Sequence, residues 1–413
     1  MLRTTTALAA GLALLAGAAQ AQDQRVLRYY ADFDPAPLAA FEAVIADFEA
    51  ANPEIDVQLQ NFDHEGYKTS IRNFLTADAP DLANWYAGNR MAPFVGAGQF
   101  QDVSDVWADN NLSETLGAAE ASMTIDGKQW GVPYTYYQWG VYYNKDAYAQ
   151  AGVEVPGPEG ITWDEFVANC EKFQAAGIDC LTTGSKALWP VAGIFDYINL
   201  RTNGYEFHNQ LTSGEVEWTD ERVRNAFAEW AKVLPYVTAN HTALDWQDAA
   251  TLLTQGKAAN YVMGNFAVAV FKEGGLTDET LGFMPFPTIN PDVVRAEEAP
   301  TDTVHIPAGA QNVEDAKAFL AFLATADVQT KLNQALGQLP VNKDSTVGDD
   351  PFIKAGFELL SSTEGGIAQF FDRDAPAEMA KVGMEGFQQF MVQPDQLDAI
   401  LDRLEKARQR IYQ

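Results

Sequence analysis

Positive charge is scarce in this chain. It carries 27 Lys and Arg against 57 Asp and Glu, a formal net charge of −30, with no long basic run. A phosphate backbone is repelled by such a surface, so nucleic-acid binding is excluded, and most of the acidity reads as solubility. Histidine is rarer still. His64, His208, His241 and His305 are scattered without ligand spacing, and His64-Glu65 is not followed by a second His four residues on. No metal site is therefore expected.

Long apolar runs are missing beyond the first residues, so no membrane span is expected in the body of the chain. At the N-terminus Arg3 precedes an apolar run from Ala7 to Ala18, then Ala19-Gln20-Ala21. The run is short of the ~20 residues that span a bilayer, and small-x-small fits signal-peptidase cleavage. The expectation is a signal peptide over 1–21, a mature chain from Gln22 and export to the periplasm. No Cys follows the cleavage point, which argues against a lipid anchor. Cysteine itself is limited to Cys170 and Cys180. In an oxidising compartment an even count suggests a disulfide closing a small loop; two free buried thiols are the alternative.

Catalytic motifs are also wanting. Gly256-Lys257 lacks the earlier glycine and the following Ser or Thr of a phosphate-binding loop, and neither G-x-G-x-x-G after a strand nor G-x-S-x-G occurs. No cofactor is expected. Paired carboxylates carry no weight for a glycosidase, because 57 acids will meet at ~5 to 9 Å by chance.

What is present is an alternation of strand and helix. Val26 to Tyr30 reads as a strand. Leu38, Phe41, Ile45 and Phe48 recur at helical spacing until Asn52-Pro53, and Ile55, Val57 and Leu59 alternate as a strand does. A helix from about Gly66 to Leu75 and the segment Asp81 to Trp85 continue the pattern, which points to an α/β fold with mostly parallel sheets. Gly131 to Tyr137 and the Pro-interrupted GFMPFP run from Gly282 read as connectors. Residues 152–160 read as a loop before a helix capped by Thr162 or Asp164, and Val313 to Leu336 as helical until Leu339-Pro340-Val341.

Aromatic residues stand beside turn and amide residues at strand ends: WYAGN from Trp85 to Asn89, YTYYQW from Tyr134 to Trp139, Trp189, and Gly264-Asn265-Phe266. In open α/β sheets, ligands sit outside the carboxyl ends of strands. A pyranose suits this inventory. Its C–H face packs on a ring, and its hydroxyls bond to amides, carboxylates and Arg.

Six segments in order make the whole mature length resemble the family 1 extracellular solute-binding proteins of ABC sugar importers, the group that includes maltose-binding protein. They are FEAANPEIDV (Phe48 to Val57), DGKQWGVPY (Asp126 to Tyr134), YYNKD (Tyr142 to Asp146), TWDEF (Thr162 to Phe166), GKAANYVMG (Gly256 to Gly264) and AKAFLAFL (Ala316 to Leu323). The resemblance implies a type II periplasmic-binding-protein fold, two α/β lobes around a hinged cleft that closes on its ligand. It puts crossings near Gly131, Phe283 and Pro340, so that 22–131 plus 283–340 form the N-terminal lobe and 132–282 plus 341–413 the C-terminal lobe. The implied ligand contacts are Asp32, Phe33, Trp85, Asn89, Tyr137, Trp189, Asn265, Phe266, Asp302 and, within QFFDRDAP (Gln369 to Pro376), Arg373. Relatives often read Gly-Asp-Trp where this chain has Gly264-Asn265-Phe266, which weakens Phe266 as a stacking platform. The implied partners are a carbohydrate and an inner-membrane permease, with the receptor monomeric and not an enzyme. The same two-lobe design also holds polyamines, metal ions or peptides, and a secreted carbohydrate-active enzyme or an adhesin are the readings from other classes.

Overall fold

The computed structural model of the protein describes residues 24–33 and 35–412. The expected signal peptide over 1–21 and its cleavage point lie outside them. In chain order the strands are β1 (Arg25–Ala31), β2 (Ile55–Asn61), β3 (Leu82–Tyr86), β4 (Thr124–Ile125), β5 (Lys128–Gln129), β6 (Val132–Tyr136), β7 (Trp139–Asn144), β8 (Asp179–Thr182), β9 (Ala258–Gly264), β10 (Leu281–Met284), β11 (Glu297–Glu298), β12 (Thr301–His305) and β13 (Ile367–Ala368).

Two sheets divide the larger strands. One runs β2-β1-β3-β12-β6, the other β10-β7-β9-β8. Each is the floor of its own core. Leu27 and Tyr29 of β1 pack with Phe41 and Phe48 of the helix Pro35–Ala51 and with Phe319 and Leu320. Around the second sheet, Tyr142, Tyr261, Phe195, Trp218, Trp230 and Phe387 form a separate aromatic core. The first lobe thus follows from the expected pattern: apolar residues at period two on β1 and near period 3.6 on the helix after it meet across one sheet. Among the described residues, no helix is long and apolar enough to cross a membrane.

The α/β two-lobe class stands, but the sheets are mixed rather than mostly parallel. β1 pairs parallel with β2 and β3, and β8 with β9. β12 runs antiparallel to both β3 and β6, and β7 antiparallel to β9 and β10. The cause is the connectivity. A parallel neighbour requires a crossover on one face of the sheet, whereas β12 comes back from the other lobe and is inserted with no such constraint.

Val132 and Tyr134 pack in the first core and Phe286 in the second, whereas the expected boundaries at 131 and 283 assign them to the opposite lobes. Pro133 suggested a connector, yet it lies in β6, the edge strand of its sheet, where a missing N–H costs nothing. The stretch 313–336 is two helices, Val313–Leu323 and Ala326–Leu336. Thr162 caps the helix Trp163–Ala175 in a reciprocal box with Glu165. Cys170 of that helix is bonded to Cys180 of β8, which decides between the two cysteine readings.

Candidate functional site

Between the two cores lies a cavity of about 300 Å³, lined from both lobes. The second-lobe side is aromatic. Trp139 opens β7, Trp189 opens the helix Trp189–Asn203, Trp246 opens the helix Trp246–Thr254, and Phe266 follows the end of β9. Their rings meet edge to face: Trp139 and Trp189 at 6.1 Å and 88°, Trp246 and Phe266 at 5.4 Å and 87°. Trp139 also stacks on Phe370 at 4.8 Å. Such contacts add ~0.5–1.5 kcal/mol each beyond the area they bury, so the rings hold one another in place without a ligand. Leu188 takes φ +68° just before Trp189. A branched side chain rarely adopts that conformation, which costs ~1–3 kcal/mol and aims the helix start at the cavity.

A second group of lining residues is ionic. Asp302 lies on β12 where the ladder to β6 shifts register between Asp302 and Thr303; such a bulge re-aims a side chain. Arg373 donates from Nη1 to Asp302 Oδ1 at 2.6 Å, and the Tyr137 hydroxyl donates to the other oxygen. The guanidinium lies 4.2 Å from the Tyr86 ring centroid and 5.2 Å from that of Tyr137. Burial pushes the Asp302 carboxyl up, against the pull of Arg373 and the Tyr137 hydroxyl. Burial also works against the charge of Arg373, but Asp302 and the two tyrosines outweigh it and keep the guanidinium firmly protonated.

Arg373 comes from the short helix Phe371–Asp374, which the second core anchors through Phe371 and through Asp196, whose carboxylate accepts the Phe371 N–H at 2.9 Å. The next residue down reaches the first lobe. Lys68 Nζ is 2.9 Å and Arg90 Nη2 3.7 Å from the Asp372 carboxylate, with all three side chains nearly buried. Burial alone would raise Asp372; the two cations win and hold it well below the usual carboxylate range. Asp32, also lining the cavity, sits 2.9 Å from His64 Nδ1.

Of the residues expected from the sequence, Asp32, Phe33, Trp85, Tyr137, Trp189, Phe266, Asp302 and Arg373 line this one cavity, and Asn89 and Asn265 do not. Asn89 turns away to donate to the Asp374 carbonyl at 2.7 Å. Asn265 is buried, its amide donating to the Gly337 carbonyl at 3.4 Å. Sequence reasoning passed over Tyr86, Trp139, Trp246, His64 and Phe370, which also line the cavity. Tyr86 and Trp139 stood inside the aromatic clusters already singled out. Trp246 had a weaker signal, the capping pattern of Asp245 and Asp248 at a helix start. Among the described residues, no group of three or more His, Cys, Asp or Glu is placed to hold a metal ion.

The model of the bacterial extracellular solute-binding protein family matches residues 34–330. The chain belongs to that family. An ABC-transporter extracellular-binding protein of Pyrococcus horikoshii, itself uncharacterised, is 26% identical to this solute-binding protein over 395 residues, 93% of this chain and 89% of the other. A probable sugar-binding periplasmic protein of Mesorhizobium japonicum is 26% identical over 378 residues, 87% and 86% of the two chains. Among solved structures, the bacterial solute receptor AcbH, described as exclusive for β-D-galactopyranose, superposes with a TM-score of 0.85 at 28% identity, covering 94% of this chain and all of the other.

Proposed function

We propose that this solute-binding protein is the periplasmic receptor of an ABC importer and that its ligand is a small carbohydrate of one or two pyranose units. The observation that carries the reading is the double character of the cleft lining: aromatic rings together with hydrogen-bonding carboxylate, guanidinium and hydroxyl groups. A pyranose has the same two characters, an apolar C–H face and a rim of hydroxyls. The cavity, about 300 Å³, is at the low end of small-molecule sites, which favours a short sugar over a long chain. The family membership and the likeness to AcbH support the same ligand class. On this reading the protein performs no chemistry. Capture closes the two lobes about the crossings between them, and the closed form docks on a membrane permease. Export by the 1–21 signal peptide, no lipid anchor, no nucleic-acid partner and a monomeric state belong to the same proposal.

Asp32, Phe33, Tyr137, Trp189, Phe266, Asp302 and Arg373 are the proposed contacts, joined by Tyr86, Trp139 and Trp246. The test is a thermal-shift screen of the mature protein against mono- and disaccharides, with spermidine and Fe³⁺ as controls and product analysis after long incubation. A sugar at about 100 times its Kd adds ~2.7 kcal/mol to the folded state. A shift with one sugar family and no product is expected. A response to spermidine alone would move the ligand to polyamines, which the acidic cleft also suits.

A further inference from the structure

Four features of the cleft would ordinarily welcome an anion, and a carboxylate of the protein itself stands at each. Among the described residues lining the cavity, the basic side chains are Arg373 and His64. Arg373 is committed to Asp302 at 2.6 Å, and His64 faces Asp32 at 2.9 Å. Two helices also begin at the cavity wall, where free N–H groups and the helix dipole attract negative charge. At His64–Ala77 the Asp63 carboxylate accepts the Gly66 N–H at 3.0 Å. At Trp246–Thr254, Asp245 is the N-cap residue, and Lys186 Nζ lies 2.8 Å from its carboxylate. The third helix to open there, Trp189–Asn203, has Pro190 in its first turn and so lacks one of the N–H groups an anion would need. Lys68 and Arg90 do not line the cavity, and both point at Asp372.

We infer that this cleft selects by charge: it takes an uncharged sugar and rejects the anionic counterparts of that sugar, uronates and sugar phosphates. The inference rests on the sugar reading above and narrows it. An acidic sugar entering here would lose its hydration without gaining a free cation, and an unpaired desolvated charge is expensive. Taking Arg373 for itself would strip Asp302 of its cation and leave it only the Tyr137 hydroxyl. The net charge of −30 adds a repulsive field along the approach. A hydroxyl has no such difficulty. It donates to Asp302 or Asp32, and accepts from the N–H groups of Arg373 that Asp302 leaves over.

The experiment is isothermal titration of the full mature protein with matched pairs at pH 7: glucose and glucuronate, galactose and galacturonate, galactose and galactose 6-phosphate, trehalose and trehalose 6-phosphate. For whichever neutral sugar binds, the acidic partner should bind at least ~30-fold more weakly, about one and a half tenfold steps of affinity. Adding charge-neutralising variants sharpens the readout, which is the ratio within a pair and not the affinity itself. Both Asp302→Asn, which releases Arg373, and the more exposed Asp245→Asn should narrow that ratio. An acidic sugar binding within about threefold of its neutral parent, or better than it, would overturn charge selection while leaving the sugar reading intact. Failure of every neutral and every acidic sugar to bind would remove both.

Discussion

On the second-lobe side of the cleft, Trp139, Trp189, Trp246 and Phe266 hold one another by ring edges. Beside them Asp302, Tyr137 and Arg373 are held by charge and hydrogen bonds. The two arrangements fail differently. Ring contacts are individually weak, tolerant of small shifts and insensitive to salt or pH. A nearly buried ion pair depends on both partners, and loss of one leaves the other with a charge it cannot solvate. The aromatic side can therefore supply most of the binding energy, while the ionic side sets orientation and couples the lobes. That coupling is direct, because Arg373 and Asp372 belong to a segment anchored in the second core and their partners Asp302, Lys68 and Arg90 belong to the first.

If this contrast holds, its largest consequence is in stability. Asp372→Asn leaves Lys68 and Arg90 without their shared carboxylate in a site where both side chains are only 10% exposed. The expected loss is ~3–5 kcal/mol, read as a fall of several degrees in a thermal melt of the ligand-free protein. A melt within a degree of wild type would mean that the ionic contacts between the lobes contribute little. Next comes the aromatic side. Trp189 is half-buried and packs mostly on other rings, so Trp189→Ala should cost ~2–3 kcal/mol in sugar binding and far less in melting temperature. Trp189→Phe should recover most of that affinity. Equal losses in affinity and stability would make Trp189 a core residue instead.

The contrast also explains which parts of the site were legible in advance. Trp189 and Phe266 could be picked out as aromatics at the edge of turn segments. Trp246, which like Trp189 opens a helix, had only the capping pattern of Asp245 and Asp248 beside it. Asn89 was misplaced for a different reason. It is an amide beside Gly88 at a strand end, but its partner is Asp374, 285 residues away, and no local pattern announces a contact across two lobes. Sheet direction failed on the same ground. The periodicities of β1 and β2 fix which residues are buried, while the direction of β12 depends on the lobe from which the chain returns. Asp302 was found through the family resemblance. The bulge that aims it and the pairing with Arg373 are tertiary facts.

The smallest expected effect separates two neighbouring acids of the ionic side. Asp372 is held low by Lys68 and Arg90, so its contribution to stability is present at neutral pH and declines as acid protonates it. Asp374 has the opposite sign. Burial pushes its carboxyl up to about 6, against the hydrogen bond from Thr212 at 2.7 Å. An unfolded Asp titrates near ~3.9. Between those values the folded protein holds a proton that the unfolded chain releases, so this contribution is complete below about pH 4 and is lost as pH rises through about 6. Because Asp374 is only half-buried, solvent screening reduces the effect to roughly 1 kcal/mol. Urea melts of wild type and Asp374→Asn at pH 4, 5, 6 and 7 should show the variant gaining on wild type by that amount across the window. A stability difference that stays flat with pH would mean that Asp374 is ionised throughout, and that the two acids at this junction act alike.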